Sequence, residues 1–234
     1  MAVSATVVLS DVVVRFGRTV VLDHVSLSLG PGDLVGVRGS NGAGKTTLLR
    51  LLVNAYRPNA GTRRGPRRSA YVPAVIEPPA LAAGVWLTRL PRPRRSDPGD
   101  ALDVLGFDGD LGAPCRELSF GNLHKLMLSE AFSSGEQLIV VDEASAGLDD
   151  VGLAGVRRLV EHARASAKTV VLADQQSRPF PSGTSVIRVA GGVLHPETDD
   201  AEIGSVMLRG PLAARPELLE RAGELGFAPV EDPP

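Results

Sequence analysis

The 234-residue chain is 43% hydrophobic and carries a net charge of −2. That is enough apolar material for one large domain, alone or with a small appendage. The balance excludes a global pull toward nucleic acid or anionic lipid, the lone Cys115 excludes an internal disulfide, and no apolar run approaches a membrane span.

Residues 1–14 lack the basic start and continuous apolar run of a secretion signal. Residues 5–15 and 18–29 are rich in Val and Leu and predict two strands, with a turn at Gly17-Arg18. Pro31-Gly32-Asp33 turns the chain into an apolar strand, Leu34-Val35-Gly36-Val37. Next comes Gly39-Ser40-Asn41-Gly42-Ala43-Gly44-Lys45-Thr46-Thr47, which fits the phosphate-loop pattern G-x-x-x-x-G-K-[ST]. Glycines there let backbone N–H groups turn onto phosphate oxygens. The helix that follows adds its N-terminal dipole. Lys45 is expected to reach the β- and γ-phosphates, and the Thr46 hydroxyl to ligate Mg²⁺. The alternative is a Gly-rich turn that only joins strand to helix. Strand, loop, lysine and helix together favour the phosphate loop.

Residues 46–52 read as a helix, and Arg57-Pro58-Asn59-Ala60-Gly61 as its stop and a turn. Ala70-Tyr71-Val72-Pro73 reads as a short strand end. Short helices are expected around 79–90 and 98–106, and a longer one over 123–132. Leu138–Val141 is fully apolar, the mark of a central parallel strand. Residues 152–165 read as a helix and Thr169–Ala173 as another buried strand. Residues 186–189 and 193–195 predict a hairpin through Gly191-Gly192. Beyond lie an acidic turn (Glu197, Asp199, Asp200), an apolar segment at 203–208 and an amphipathic helix at 216–225. Strands alternating with helices argue for an α/β fold with a mainly parallel sheet.

Asp142 and Glu143 directly follow the Leu138–Val141 strand, at the end where parallel sheets bind ligands. Asp142 suits the Mg²⁺ shell beside Thr46. Glu143, one residue on, points elsewhere and is placed to polarise a water for attack on a γ-phosphate. An ordinary exposed strand end is the alternative; the phosphate loop upstream favours the functional reading.

These residues resemble the nucleotide-binding subunit of ATP-binding cassette (ABC) transporters, from about residue 5 to 195. Leu118-Ser119-Phe120-Gly121-Asn122 is similar to the family's LSGGQ signature. Residues 140–143 resemble its Walker B strand with the catalytic glutamate, and Ser145-Ala146-Gly147-Leu148-Asp149 its D-loop. Phe16 matches the aromatic that stacks on adenine, with burial in the core as the alternative. The signature serine also has an alternative, as a simple helix cap.

The resemblance implies a P-loop NTPase fold of ABC type. It would have a mainly parallel central sheet, an antiparallel β subdomain and a shortened helical subdomain at about 75–135. Residues 1–195 would form this domain, and 196–234 a small regulatory, dimerising or edge-covering appendage. The cofactors would be ATP and Mg²⁺. Phe16, Gly39, Ser40, Asn41, Gly42, Ala43, Gly44, Lys45, Thr46 and Thr47 would bind nucleotide, and Thr46 and Asp142 the metal. Ser119 and Gly121 would cover the ATP of a second nucleotide-binding subunit, identical or different, in a head-to-tail dimer. Glu143, Lys45 and Gln175 would carry catalysis. A transmembrane permease would be the other partner, placing the chain in the cytoplasm on the inner face of the membrane, with no nucleic acid bound. Two other readings stand beside it. One is a soluble ATP-switched module on the ribosome or nucleic acid, though those usually carry two cassettes or a long coiled-coil insertion, both absent here. The other is an ATP sensor that does not hydrolyse.

The chain departs from the family pattern at several positions. Tyr71-Val72-Pro73 is followed by Ala74, where the family has a Mg²⁺-ligating glutamine. The only glutamines are Gln137, Gln175 and Gln176, so none lies between the phosphate loop and the signature. Glu77 is the nearest oxygen donor. Gln175 stands where the family has a histidine against the γ-phosphate; glutamine can donate a hydrogen bond but carries no charge. Loss of one such preorganised donor costs on the order of 10²–10³ in rate. Ala144 replaces a proline and Asn122 a glutamine, both milder changes. Intact ATP binding with slow hydrolysis is the expectation. Within the short segment before the signature, residues 57–95 are also basic, with Arg57, Arg63, Arg64, Arg67, Arg68, Arg89, Arg92, Arg94 and Arg95 against Glu77 alone. A surface docked near anionic lipid and a plainly solvated loop both fit it.

Overall fold

Two strands, Val7–Phe16 (β1) and Thr19–Leu29 (β2), form an antiparallel hairpin in which Phe16 faces Thr19 across Gly17-Arg18. In this computed structural model, residues 6–89, 96–174 and 179–197 are described. The chain continues through Leu34–Arg38 (β3), Lys45–Leu52 (α1), Ala60–Arg64 (β4) and Ala70–Val72 (β5). Ala83–Arg89 (α2), Pro98–Val104 (α3) and Phe120–Ser133 (α4) follow. Leu138–Val141 (β6), Asp150–Ala165 (α5), Thr169–Ala173 (β7), Ser185–Ala190 (β8) and Val193–Glu197 (β9) complete the described elements.

The strands make two sheets. One has the order β2-β1-β4 and is antiparallel. The other has the order β5-β6-β7-β3-β8-β9, parallel except for the β8–β9 hairpin at its edge. This is the architecture the alternating strands and helices imply. Side-chain alternation along the parallel strands explains why both faces are covered. Val35, Leu138, Val140 and Val171 face a core shared with β1, β2 and α1. Leu34, Ile139, Val141, Val170 and Leu172 face a second core built with α4 and α5. Ala83, Leu87, Leu102, Cys115, Leu123 and Leu126 form a third, smaller core under α2, α3 and α4. α1 buries Leu48, Leu49, Leu51 and Leu52 completely, which fixes the phosphate loop's exit.

Several boundaries differ from the sequence expectation. Residues 57–61 hold more than a turn: β4 starts at Ala60 and pairs with β1. Every residue of β4 but one is exposed, so no apolar alternation marks it, and pairing with β1 is what makes it a strand. Asn59 sets it in place, donating from its amide to the Val13 carbonyl and accepting from the Arg15 amide. Glu197 belongs to β9 rather than to a following turn, and pairs with Arg38 and Arg188. Arg63 is part of the fold rather than the basic surface: it donates to the Leu52 carbonyl at the end of α1 and to Pro66. Arg57, Arg64, Arg67 and Arg68 remain exposed. The far end of α4 is closed by buried Lys168, which donates to the carbonyls of Phe132 at 3.1 Å and Ser134 at 2.7 Å. The segments at 203–208 and 216–225, Asp199, Asp200 and Gln175 lie outside the described residues. Among the described residues no helix is long and apolar enough to cross a membrane.

Candidate nucleotide site

Parallel pairing brings the carboxyl ends of β3, β6 and β7 to one edge of the sheet. Val37 lies opposite Ala173, and Val141 opposite Leu172. The phosphate loop leaves the end of β3, and Asp142 and Glu143 leave the end of β6. The two halves that the sequence separates by about a hundred residues therefore meet.

Gly39 has φ 155, and a Cβ there would stand 2.5 Å from the Val189 carbonyl oxygen. Only glycine fits, because β8 crosses directly behind the loop. Gly44 is the α1 N-cap with φ 104. Lys45 is buried, and its Nζ donates to the carbonyls of Gly39 at 2.7 Å and Ser40 at 3.1 Å. The lysine thus closes the loop on itself and sets a positive charge within it. The Thr46 hydroxyl donates to Asp142 Oδ2 at 2.7 Å. These are two hard oxygen donors side by side, one of them a carboxylate that is 2% exposed. That donor set suits Mg²⁺, which takes few protein oxygens and completes its shell with phosphate and water. The sequence pairing of Thr46 with Asp142 is therefore realised in space.

Glu143 is held unusually. Its φ is 55, a left-handed conformation that is costly for a residue with a Cβ. Three backbone bonds hold the turn. The Asp142 amide donates to Val72 O at 2.8 Å, the Ala144 amide to Ala173 O at 2.9 Å, and the Ala146 amide to Glu143 O at 3.0 Å. Burial first, then the charges of Asp142 and Asp174, raise the Glu143 pKa; Lys45 opposes them. A carboxyl held above its ordinary value is a better base than a free glutamate. Ala144 is consequential here, since proline has no amide to give Ala173 and restricts the residue before it to extended conformations. Ala144→Pro is expected to lower turnover about tenfold or more and to leave nucleotide affinity within about twofold, checked by paired kinetic and binding titrations.

Phe16 is 50% exposed at the end of β1, which rules out the core alternative. Its ring meets Tyr56 edge-on at 5.7 Å. Ser119 does cap α4, accepting from the Asn122 amide at 3.2 Å. The neighbouring Phe120 is 49% exposed. Gly121 lies against the segment after Glu143: a Cβ on it would stand 2.5 Å from the Gly147 carbonyl oxygen. Ala74, by its side chain, offers no donor or acceptor. Glu77 is exposed, while Thr46 and Asp142 pair with each other. Gln175 lies outside the described residues; the strand before it ends at Ala173, followed by Asp174.

Two residues of this region escaped the sequence reading. His124 Nδ1 donates to the Ala146 carbonyl at 2.7 Å, and Lys125 Nζ reaches Gly106 O at 2.8 Å and Asp149 at 3.3 Å. Both are buried. The available signal was a polar pair inside the otherwise apolar run Leu123-His124-Lys125-Leu126-Met127-Leu128.

The family profile described as "ABC transporter" matches residues 22–146, more than half of the chain. The zinc import ATP-binding protein ZnuC of Pseudomonas putida is 33% identical over 165 residues, covering 68% of this chain and 64% of that protein. ZnuC of Cereibacter sphaeroides is 34% identical over 164 residues, covering 68% of each. Among solved structures, a dimeric ATP-binding cassette in a post-hydrolysis state with ADP and phosphate superposes with a TM-score of 0.70. It is 19% identical and covers 82% of this chain and 97% of its own. A bacterial Atm1-family exporter with ATP bound gives a TM-score of 0.70 at 18% identity, over 99% of this chain and 44% of its own.

Proposed function

This chain belongs to the ABC transporter family, and from that premise we propose that it binds Mg·ATP at residues 39–47 and hydrolyses it slowly. In this reading it is an ATP-binding subunit that pairs head to tail with a second cassette and drives a separate transmembrane permease. The observation that carries the reading is the 2.7 Å contact of Thr46 with Asp142 at the phosphate loop, with Glu143 next along the chain.

Each part of the site has a task. The loop amides and Lys45 bind the phosphates, and Phe16 offers its exposed face to the base. Thr46 and Asp142 would hold Mg²⁺, which supplies charge neutralisation on the phosphates when bound. Glu143 accepts a proton from the attacking water. Ser119 and Gly121, at the start of α4, would donate to the γ-phosphate held by the second subunit. The exposed Arg57, Arg64, Arg67 and Arg68 suit a position near the anionic inner face of a membrane.

Slow turnover follows from Ala74 and Gln175, which stand where two γ-phosphate-side groups are expected. The test is steady-state phosphate release by the purified chain, alone and with a permease. The expected rate for the chain alone lies below the ordinary enzymatic range of about 1–10³ s⁻¹. A rate inside that range, without any partner, overturns the slow-hydrolysis reading.

A further inference from the structure

We propose that His124 is a positioning residue for Glu143, acting through the backbone of Ala146. The proposal rests on reading Glu143 as the base, and His124 is a buried polar side chain that does not touch the nucleotide loop. His124 lies on α4, 2% exposed. Its Nδ1 is 2.7 Å from the Ala146 carbonyl oxygen. A carbonyl only accepts, so Nδ1 carries the proton and Nε2 carries the lone pair. Nε2 is buried with no hydrogen-bond partner among the described residues. Burial also pushes the imidazole toward its neutral form. The ring is thus fixed as a single-donor tautomer aimed at one peptide.

Ala146 is joined to the base through its other backbone group, the N–H of the preceding peptide. The Ala146 amide donates to the Glu143 carbonyl at 3.0 Å. A continuous path therefore runs from the α4 side chain to Ala146 and then to the backbone of Glu143. Such a path has work to do, because φ 55 at Glu143 persists only where the surroundings hold it. The same helix grips the segment at two further points. Phe120 packs on Gly147, where a Cβ would stand 2.5 Å from the ring. Lys125 pairs with Asp149 at 3.3 Å. The helix that would offer Ser119 and Gly121 to one nucleotide therefore sets the geometry of the base that serves another. His124 is the member of this grip that bonds nearest to Glu143.

The test uses the full chain and three variants. His124→Asn keeps a donor near the Nδ1 position. His124→Leu and His124→Met keep apolar bulk without a donor, and the flexible Met tolerates small misfits. Hydrolysis at saturating Mg·ATP is followed over single turnovers, with nucleotide affinity and amide hydrogen exchange at residues 146–148 measured alongside. The two non-donor variants are expected to lose about tenfold in kcat, with affinity within about twofold and faster exchange at 146–148. His124→Asn is expected to stay within about threefold of wild type. Wild-type kcat and exchange in the non-donor variants overturn the proposal. So does an equal loss in all three, since that is what packing alone produces. Glu143→Gln is run beside them to separate the two readings. If that variant hydrolyses at the wild-type rate, the base reading fails, and the proposal that depends on it falls with it. If Glu143→Gln is inactive while the His124 variants behave as wild type, only the positioning proposal fails.

Discussion

Glu143→Gln lowers ATP turnover by about 10²–10⁴-fold and leaves Mg·ATP bound. Glutamine keeps the shape of the side chain, so the three backbone bonds that hold the turn survive the exchange. What it loses is the ability to take a proton from water. The expected species is a long-lived ATP complex, visible as nucleotide that co-elutes with the protein during gel filtration. The wild-type pH profile gives a companion observation. Burial and the carboxylates of Asp142 and Asp174 raise the Glu143 pKa above its ordinary 4.5. Turnover is therefore lost as pH falls through a range higher than an exposed glutamate would give. Glu143→Gln turning over within about threefold of wild type would remove Glu143 from the mechanism.

Lys45→Ala weakens Mg·ATP binding by about 10- to 100-fold, the loss expected for a hydrogen bond to a charged group. Lys45 has two tasks that alanine cannot perform. It bonds the Gly39 and Ser40 carbonyls and so holds the loop's curvature. On the proposed reading it also supplies positive charge to the phosphates. The fold itself should tolerate the change, because α1 is anchored by Leu48, Leu49, Leu51 and Leu52 rather than by the lysine. Fluorescence titration with a nucleotide analogue, with a thermal melt as control, separates the two effects. Lys45→Arg is no substitute, since the guanidinium is planar and larger than the ammonium the loop encloses. An affinity within about twofold of wild type would displace the phosphates from this loop.

The parts of this protein that were legible in its sequence are those where local chemistry is decisive. The loop 39–47 needs its glycines, lysine and threonine at fixed spacing, and each requirement is visible letter by letter. β3, β6 and β7 are short apolar runs because both their faces are covered. The contact of Thr46 with Asp142 was legible because a phosphate loop and an acidic strand end have few other ways to combine. β4 was not legible, since its residues Ala60-Gly61-Thr62-Arg63-Arg64 carry no alternation and depend on β1 for pairing. The left-handed turn at Glu143 was hidden as well. It arises from bonds to Val72, Ala173 and Ala146, which lie on three different segments. His124 and Lys125 read as helix interior; only the packing of α4 on the segment 145–149 shows what they hold.

The three lysines share a property with a practical consequence. Lys45, Lys125 and Lys168 are the whole lysine complement of the chain, and each is less than a tenth exposed. Each ammonium group is bonded to backbone carbonyls. Arginine supplies the rest of the side-chain positive charge that does not come from histidine. Acylating reagents, amine cross-linkers and enzymes that modify lysine therefore meet no open side-chain amine on the folded surface. Any such reaction has to wait for a local opening, so its rate measures that opening rather than surface exposure. At Lys45 a bound nucleotide would add its own protection, and the label would then double as a footprint of occupancy.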